Sequence, residues 1–356
     1  IFDSHILNEL PKDDARFAFI HRSILKIKDS LKAHGSDILC LYGDPKSVWL
    51  ELISKFKVAK VYTNKDYEPY AIARDKEIAE LLGKKDIPFN SFKDQVIFEE
   101  NEILKSNQEP YTVFTPYKNK WLTKFQEANP LEPKNPKLNN LHKANYTTMS
   151  LEDIGFTESE IEVKDFNLSR LHLYGDKRDF PYADITSYLS THLRFGTIGI
   201  RQIISRIDKS NAVFLSELIW REFFMQILFH YPKVVTENFR SKYDNIKWRN
   251  NKEEFLLWCQ GKTGYPMVDA GMRQLNTTGF MHNRVRMITA GFLCKHLLID
   301  WRWGESYFAE KLLDYELSSN NGNWQWAAGT GCDAAPYFRI FNPLSQQQKF
   351  DKDYKY

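Results

Sequence analysis

The spacing of apolar residues changes once along this chain, and that change restricts the fold more than any other feature. Up to about residue 92 the pattern alternates. Asp13 to Ala33 carries Phe17, Ile20, Ile24, Ile27 and Leu31 at helical spacing, ended by Gly35. Asp37 to Tyr42 is a short apolar run closed by Gly43-Asp44-Pro45, the pattern of a buried strand and its turn. The same reading predicts helices over 45–56 and 70–82 and strands over 58–63 and 87–92. Repeated strand–helix units with short turns predict a parallel sheet covered by helices. A stretch rich in Pro, Asn and Lys (Pro130, Pro133, Pro136) then reads as a linker. From about Leu168 only helices are predicted, over 210–231, 252–261, 269–275, 283–298 and 304–317. The expected organisation is an α/β domain over 1–125, a linker over 126–167 and an all-α domain over 168–356.

The first domain is Rossmann-like in layout, yet no GxGxxG follows any of its strands, so a standard dinucleotide site is not indicated there. The chain opens at Ile1-Phe2-Asp3 without an initiator Met, basic region or cleavage site. Ile1-Phe2 reads as the tail of a strand already under way, and the opening strand or strands are expected to be absent. No run of about 18 apolar residues occurs, so no membrane span is expected. Cys40, Cys259, Cys294 and Cys332 are scattered without CxxC pairing. That argues against a metal site or a disulfide framework, and for a reducing cytoplasm. A net charge of +3 does not by itself imply nucleic acid. Its distribution says more, because between Lys233 and Trp303 there are 12 Lys/Arg against 6 Asp/Glu. Seven of the nine tryptophans also lie in the second half. Most large aromatics simply fill cores, but a basic, Trp-rich stretch suits a surface that holds flat rings and a polyanion.

Three blocks mix helical apolar spacing with charged and amide residues: Gly264 to Met287, Asp300-Trp-Arg with Leu312 to Ala328, and Asp333 to Pro343. On these, and on Asp66-Tyr-Glu-Pro-Tyr-Ala and Val113-Phe-Thr-Pro-Tyr-Lys-Asn, the chain resembles the photolyase/cryptochrome family. Within that family it is most similar to the class I cyclobutane pyrimidine dimer (CPD) photolyases. The resemblance covers nearly the whole chain. It implies an antenna-type first domain and a helical second domain that binds FAD and damaged DNA.

What it implies residue by residue can be set beside the chemistry of each side chain. Tyr174 and the run Thr186, Ser187, Tyr188, Leu189 and Ser190 match the segment that cradles the FAD phosphates. Hydroxyls at a helix start offer suitable donors there, although alone they read as N-caps. Position 188 is often Arg in close relatives. Glu217, Trp220 and Arg221 fall at i, i+3 and i+4, hence on one helix face. By similarity Arg221 holds the flavin phosphates while Glu217 and Trp220 line the lesion pocket; unaided, Glu217 and Arg221 read as a surface salt bridge. Arg286 and Asp314 match an ion pair over the isoalloxazine ring, the carboxylate accepting from the ring imide and the Arg favouring an anionic reduced flavin. Asn320 matches the residue facing flavin N5, where an amide offers either its oxygen or its NH2. Trp324, Trp301 and Trp248 match the family's electron-hopping triad, and the adjacent Trp303 is a candidate for an additional route.

The implied substrate is a pyrimidine dimer inside a duplex, which has to be flipped out, as photolyases do. Trp220 and Trp326 are expected to stack on the extruded bases, at about 1–3 kcal/mol each. Glu217, Asn283 and Met287 match lesion contacts, and Arg178, Arg284, Arg339 and Lys349 match phosphate contacts. The (6-4) photolyases carry a His pair where this chain has His282 and Asn283, which argues against (6-4) repair. An antenna chromophore is left open among a folate, a deazaflavin, another flavin and none. The implied activity is that of a deoxyribodipyrimidine photo-lyase, a carbon–carbon lyase. Light excites reduced FAD, an electron enters the dimer, the cyclobutane bonds break and the electron returns. Glu217, Asn320, Trp324, Trp301 and Trp248 are the catalytic candidates, and a monomer is expected. Two alternatives stand beside this: a cryptochrome-like photoreceptor without repair, and a nucleotide-binding α/β protein with a helical DNA-binding domain and no photochemistry.

Overall fold

A computed structural model describes residues 1–128, 130, 138–334 and 339–356; the linker residues Pro133 and Pro136 and the motif residues Pro336–Phe338 lie outside them. The chain divides into two compact units, Ile1–Gln95 with Glu132–Val163, and Val96–Leu131 with Lys164–Tyr356. Residues 96–125, which composition groups with the first domain, therefore pack with the helices.

The first unit runs β1 (Phe2–Asp3), α1 (Ser4–Leu7), α2 (Ala15–Lys32), β2 (Tyr42–Gly43), α3 (Pro45–Lys55), β3 (Val61–Asn64), α4 (Pro69–Gly83) and β4 (Phe89–Phe92). Each intervening helix returns the chain to the same end of the sheet, so the strands pair in parallel. Phe2 lies opposite Tyr42, and Val61 opposite Phe89, in two separate two-stranded ladders. The strand expected over 37–42 shrinks to β2, because β1 offers only two residues to pair with it. Helix α2 begins where the Asp14 side chain accepts from the backbone N–H groups of Arg16 and Phe17. It buries Phe17 between Phe2 and Phe156.

The second unit holds α5 (Phe114–Ala128), α6 (Leu171–Lys177), α7 (Leu189–Arg194), α8 (Ile200–Ile204), α9 (Ala212–His230), α10 (Lys252–Cys259), α11 (Pro266–Thr278), α12 (Asn283–Lys295), α13 (Trp301–Lys311), α14 (Leu317–Ala328) and α15 (Pro343–Phe350). The helix expected over 304–317 ends at Lys311 as α13, and a further helix that was not expected, α14, begins at Leu317. Helix α13 starts at an Asp300 cap, and α14 starts at Glu316, whose carboxylate accepts from the N–H groups of Ser318 and Ser319. Helix α14 packs against α9, α12 and α13. Two glycines permit this. A Cβ on Gly304 would stand 2.1 Å from the Trp324 ring, and one on Gly322 would stand 2.2 Å from the Phe224 ring. Segment 96–121 is pinned to α9 by the buried Glu222, which accepts from Ile97 N (2.7 Å), Phe98 N (3.1 Å) and the Trp121 indole (2.7 Å). Among the described residues no helix is long and apolar enough to cross a membrane.

Candidate functional site

A polar cluster of the second unit gathers around Asp314, in the turn between α13 and α14. Its Oδ2 accepts from Arg286 Nη2 at 2.9 Å and from Ser190 Oγ at 2.6 Å. Arg286 is oriented from behind, since its Nε donates to Met281 O at 2.7 Å. Three elements thus converge on one carboxylate: α12, the first turn of α7 and the turn before α14. The other oxygen, Oδ1, is buried and has no partner among the described residues. A buried acceptor left empty costs about 1–3 kcal/mol, so a donor that does not belong to the chain fits here. An imide N–H of a flavin ring is such a donor.

Helix α14 carries Asn320 and, four residues on, Trp324, so both side chains share a face. The Asn320 Nδ2 donates to Glu305 O (3.0 Å) and Glu305 Oε1 (2.9 Å). With both amide hydrogens committed, the oxygen is the free end. Glu305 was not singled out in the sequence, because it lies one helix earlier and belongs to no motif block. Burial pushes its carboxyl upward in pKa, opposed by the hydrogen bond from Asn320. Trp324 and Trp301 are buried in one core cluster and Trp248 packs against it. The Trp301 indole donates to Asn238 Oδ1 at 2.9 Å.

On α9 the structure corrects one pairing. The partner of Glu217 is Arg178, just past α6, at 2.5 Å, and not Arg221 one turn along the helix. Helical spacing puts Arg221 within reach, but Arg178, which also lies over the Tyr174 ring at 5.4 Å, is the residue that closes on the carboxylate. Trp220 stacks on Phe114 with centroids 3.6 Å apart and planes at 10°. One face of Trp220 is therefore covered, and Phe224 lies nearly parallel to the same indole, centroids 5.4 Å apart at 28°. Trp326 is half-buried, 6.5 Å from the Phe341 ring.

The residues matched to phosphate contacts fall into two groups. Arg178 and Arg284 are held inside the unit, Arg284 by Asp179 at 2.7 Å and across the Phe350 ring at 4.5 Å. Arg339 and Lys349 are exposed. Asn283, exposed, opens α12, and half-buried Met287 lies one turn on, 3.8 Å from Arg284 Nη1. His282 caps that helix, its Nδ1 accepting from Arg284 N at 3.1 Å. Burial and the cation of Arg286 hold its imidazole down at about 4. Of the run before α7, Ser187 is buried and accepts from Leu189 N at 3.3 Å. Thr186 is half-buried, and Leu189 belongs to the core. Tyr188 takes a left-handed backbone (φ 52°), and its hydroxyl lies 3.1 Å from Lys164 Nζ.

This geometry sits inside a recognisable whole. Residues 214–356 match the FAD binding domain of DNA photolyase, and residues 1–137 match the DNA photolyase family. A deoxyribodipyrimidine photo-lyase of Halobacterium salinarum is 37% identical over 370 residues, covering 96% of this chain and 76% of that protein. The chain belongs to the photolyase/cryptochrome family. Family members superpose closely along its length. A bacterial class III photolyase from Agrobacterium tumefaciens has a TM-score of 0.85 at 35% identity, over 97% of this chain and 77% of that one. An archaeal photolyase from Sulfolobus tokodaii, described with two FAD molecules, has a TM-score of 0.81 at 35% identity, over 99% and 81%. Because a class III enzyme fits this well, overall likeness establishes the family and does not select its class I group.

Proposed function

We propose that this chain is a light-dependent DNA repair enzyme that binds FAD in its helical unit and splits cyclobutane pyrimidine dimers. The observation that carries the reading is the buried Asp314 Oδ1 beside Arg286, which no described residue satisfies, with the oriented oxygen of Asn320 on the adjoining helix. Reduced FAD, bound and excited by light, supplies the electron that breaks the dimer and receives it back. The chain's own residues do the rest. Asp314 accepts the ring's imide hydrogen. Arg286 keeps a positive charge against the ring, and the Asn320 oxygen accepts at N5. Tyr174, Thr186, Ser187, Leu189, Ser190 and Arg221 hold the phosphates. Glu217, steadied by Arg178, faces the lesion with Asn283 and Met287, while Trp220 and Trp326 supply stacking surface. Arg339 and Lys349 meet the DNA backbone, Arg178 does so while it keeps its contact with Glu217, and Arg284 does so by exchanging the carboxylate of Asp179 for phosphate. Trp324, Trp301 and Trp248 would relay electrons to the flavin from a reductant in solution, such as a thiol, which refills the outermost ring. A second, light-collecting chromophore is part of the proposal, by analogy with the two-FAD relative; the absorption spectrum of the purified protein identifies its class.

The test is repair of a thymine-dimer oligonucleotide by the flavin-reduced protein, under blue light and in the dark. Repair in light alone is expected. Bound flavin without repair would transfer the chain to the photoreceptor side of the family, and absence of flavin bands would remove the photochemistry altogether.

A further inference from the structure

Beside Arg178 and Arg284 the second unit carries a stripe of rings with no part in the reading above. Tyr182, in the short turn Pro181–Ala183, is 47% exposed. It meets the half-buried Phe180 edge to face (6.3 Å, 65°), and Phe180 meets the buried Phe350 of α15 in the same way (6.3 Å, 71°). A cation lies against every ring. Lys355 Nζ is 5.4 Å from the Tyr182 centroid and Lys177 Nζ is 5.9 Å from that of Phe180. Phe350 has Lys349 Nζ at 5.1 Å and the Arg284 guanidinium at 4.5 Å. The three lysines are exposed. Of the neighbouring carboxylates, Asp179 is taken by Arg284 at 2.7 Å, and Asp353 stands 3.6 Å from Lys355 with both side chains in solvent. An exposed ion pair and an exposed ammonium–ring contact are both weak, so Lys355 is released easily. Rings interleaved with mobile cations match the repeat of a nucleic-acid strand, in which flat bases alternate with phosphates.

We propose that this stripe binds an unpaired stretch of the DNA strand beside the lesion, with Tyr182 stacking on a base and Lys355 meeting a phosphate next to it. This rests on the reading above, in which Arg178, Arg284 and Lys349 meet the DNA backbone, and it extends that contact along the strand. Lys355 leaves the Tyr182 ring for the phosphate, and the ring face that it uncovers takes the base. A base in intact duplex stays paired and stacked between its neighbours, and opening it has a cost that an unpaired base does not carry. The stripe therefore strengthens binding of a dimer in single-stranded DNA more than binding of the same dimer in duplex. Tyr182 contacts the flanking strand and not the dimer, so its effect is independent of the lesion itself.

The test is equilibrium binding, in the dark, of labelled oligonucleotides that are single-stranded or duplex and carry one thymine dimer or none. Tyr182→Ala is expected to weaken single-strand binding about fivefold to tenfold, the loss of one base–ring stack. Duplex binding should stay within about twofold, and Tyr182→Phe, which keeps the ring, should bind the single strand as the unmodified protein does. Lys355→Ala should lower the slope of log affinity against log salt by about 0.7 on the single strand, the share of one phosphate contact. The proposal is overturned if Tyr182→Ala leaves single-strand binding unchanged, or if it weakens single strand and duplex equally. An unchanged salt slope for Lys355→Ala overturns it as well. Both positions are exposed, so neither substitution disturbs the core. The dimer-free strands keep the two readings apart. Equal binding of damaged and undamaged DNA by the unmodified protein would count against the proposed function, while the loss in Tyr182→Ala on either strand still decides the stripe.

Discussion

Glu305 holds both hydrogens of the Asn320 amide, one through its backbone carbonyl at 3.0 Å and one through its carboxylate at 2.9 Å. Asn320→Asp would set a second carboxylate against that acceptor pair, where two like charges cannot both be ionised. A stability loss of about 1–3 kcal/mol is expected at neutral pH, shrinking on acidification as the pair takes up a proton. Urea denaturation at two pH values measures it. Adding Glu305→Gln should recover most of the loss, because its amide donates where the carboxylate repelled; no recovery would mean that Glu305 does not orient Asn320.

Gly304 is required by the ring it faces. A methyl group there overlaps Trp324 at 2.1 Å and Leu293 at 2.6 Å, both inside a packed core. Gly304→Ala should cost about 1–3 kcal/mol by overpacking, against the gain of up to about 1 kcal/mol that alanine brings to a helix. Gly83 near the end of α4 is the control, since nothing lies within 4 Å of its added Cβ. Thermal melts of the two variants should move in opposite directions.

Much of the fold was legible because it follows local spacing. Helices α2, α3, α4, α9 and α12 begin and end within a few residues of the expected positions, and the alternating first part forms parallel strands. Helix α14 was not legible. Leu317-Ser-Ser-Asn-Asn-Gly-Asn is a poor helix sequence by intrinsic propensity, so the preceding helix was extended over its start. Tertiary packing overrides that preference: Asn321 and Gln325 both donate to Val234 O, and Trp324 fills the core. The site divides in the same way. Side chains one turn apart can be placed on a face from sequence, but partners brought from other helices cannot. Spacing therefore joined Glu217 to Arg221 and could not see Arg178, and it could not see Glu305 behind Asn320. Arg286 with Asp314 came from family resemblance, not from any periodic signal.

Asp314→Asn keeps the shape of the cluster and removes its charge. Arg286 then loses its counter-ion in a half-buried setting, and Ser190 must share a weaker acceptor. A loss of about 1–3 kcal/mol in urea denaturation is expected. Flavin content after purification should fall in parallel, whereas Lys349→Ala on the exposed part of α15 should leave both unchanged. A variant that loses stability yet retains flavin fully would separate the ion pair from cofactor binding.

His282 sets a pH dependence of definite sign. Its ordinary value of 6.5 is held down to about 4 in the folded chain, first by burial and then by the charge of Arg286. Between those values the unfolded chain binds the proton and the folded chain does not, so stability falls as pH drops from about 6.5 to about 4. The shift sets an upper limit of about 3 kcal/mol. His282→Asn retains a capping side chain and cannot titrate. Its stability should decline less over that window.

Glu222 acts in the opposite sense. It meets only donors, which favour its charged form, but complete burial outweighs them and pushes its carboxyl from 4.5 up to about 7. The folded chain therefore holds the extra proton between those values. The stability that Glu222 contributes is fully present below about 4.5 and is lost as pH rises through about 7. In the unmodified protein this partly cancels the His282 effect, and single variants are needed to separate them. Glu222→Gln should lose about 1–3 kcal/mol at any pH, since its amide NH2 faces the N–H groups of Ile97, Phe98 and Trp121. It should also lose stability more steeply on acidification than the unmodified chain, because the opposing contribution of Glu222 is then gone. Denaturation midpoints between about pH 4 and 8 give both quantities. A curve parallel to that of the unmodified protein would mean that burial does not control the Glu222 proton.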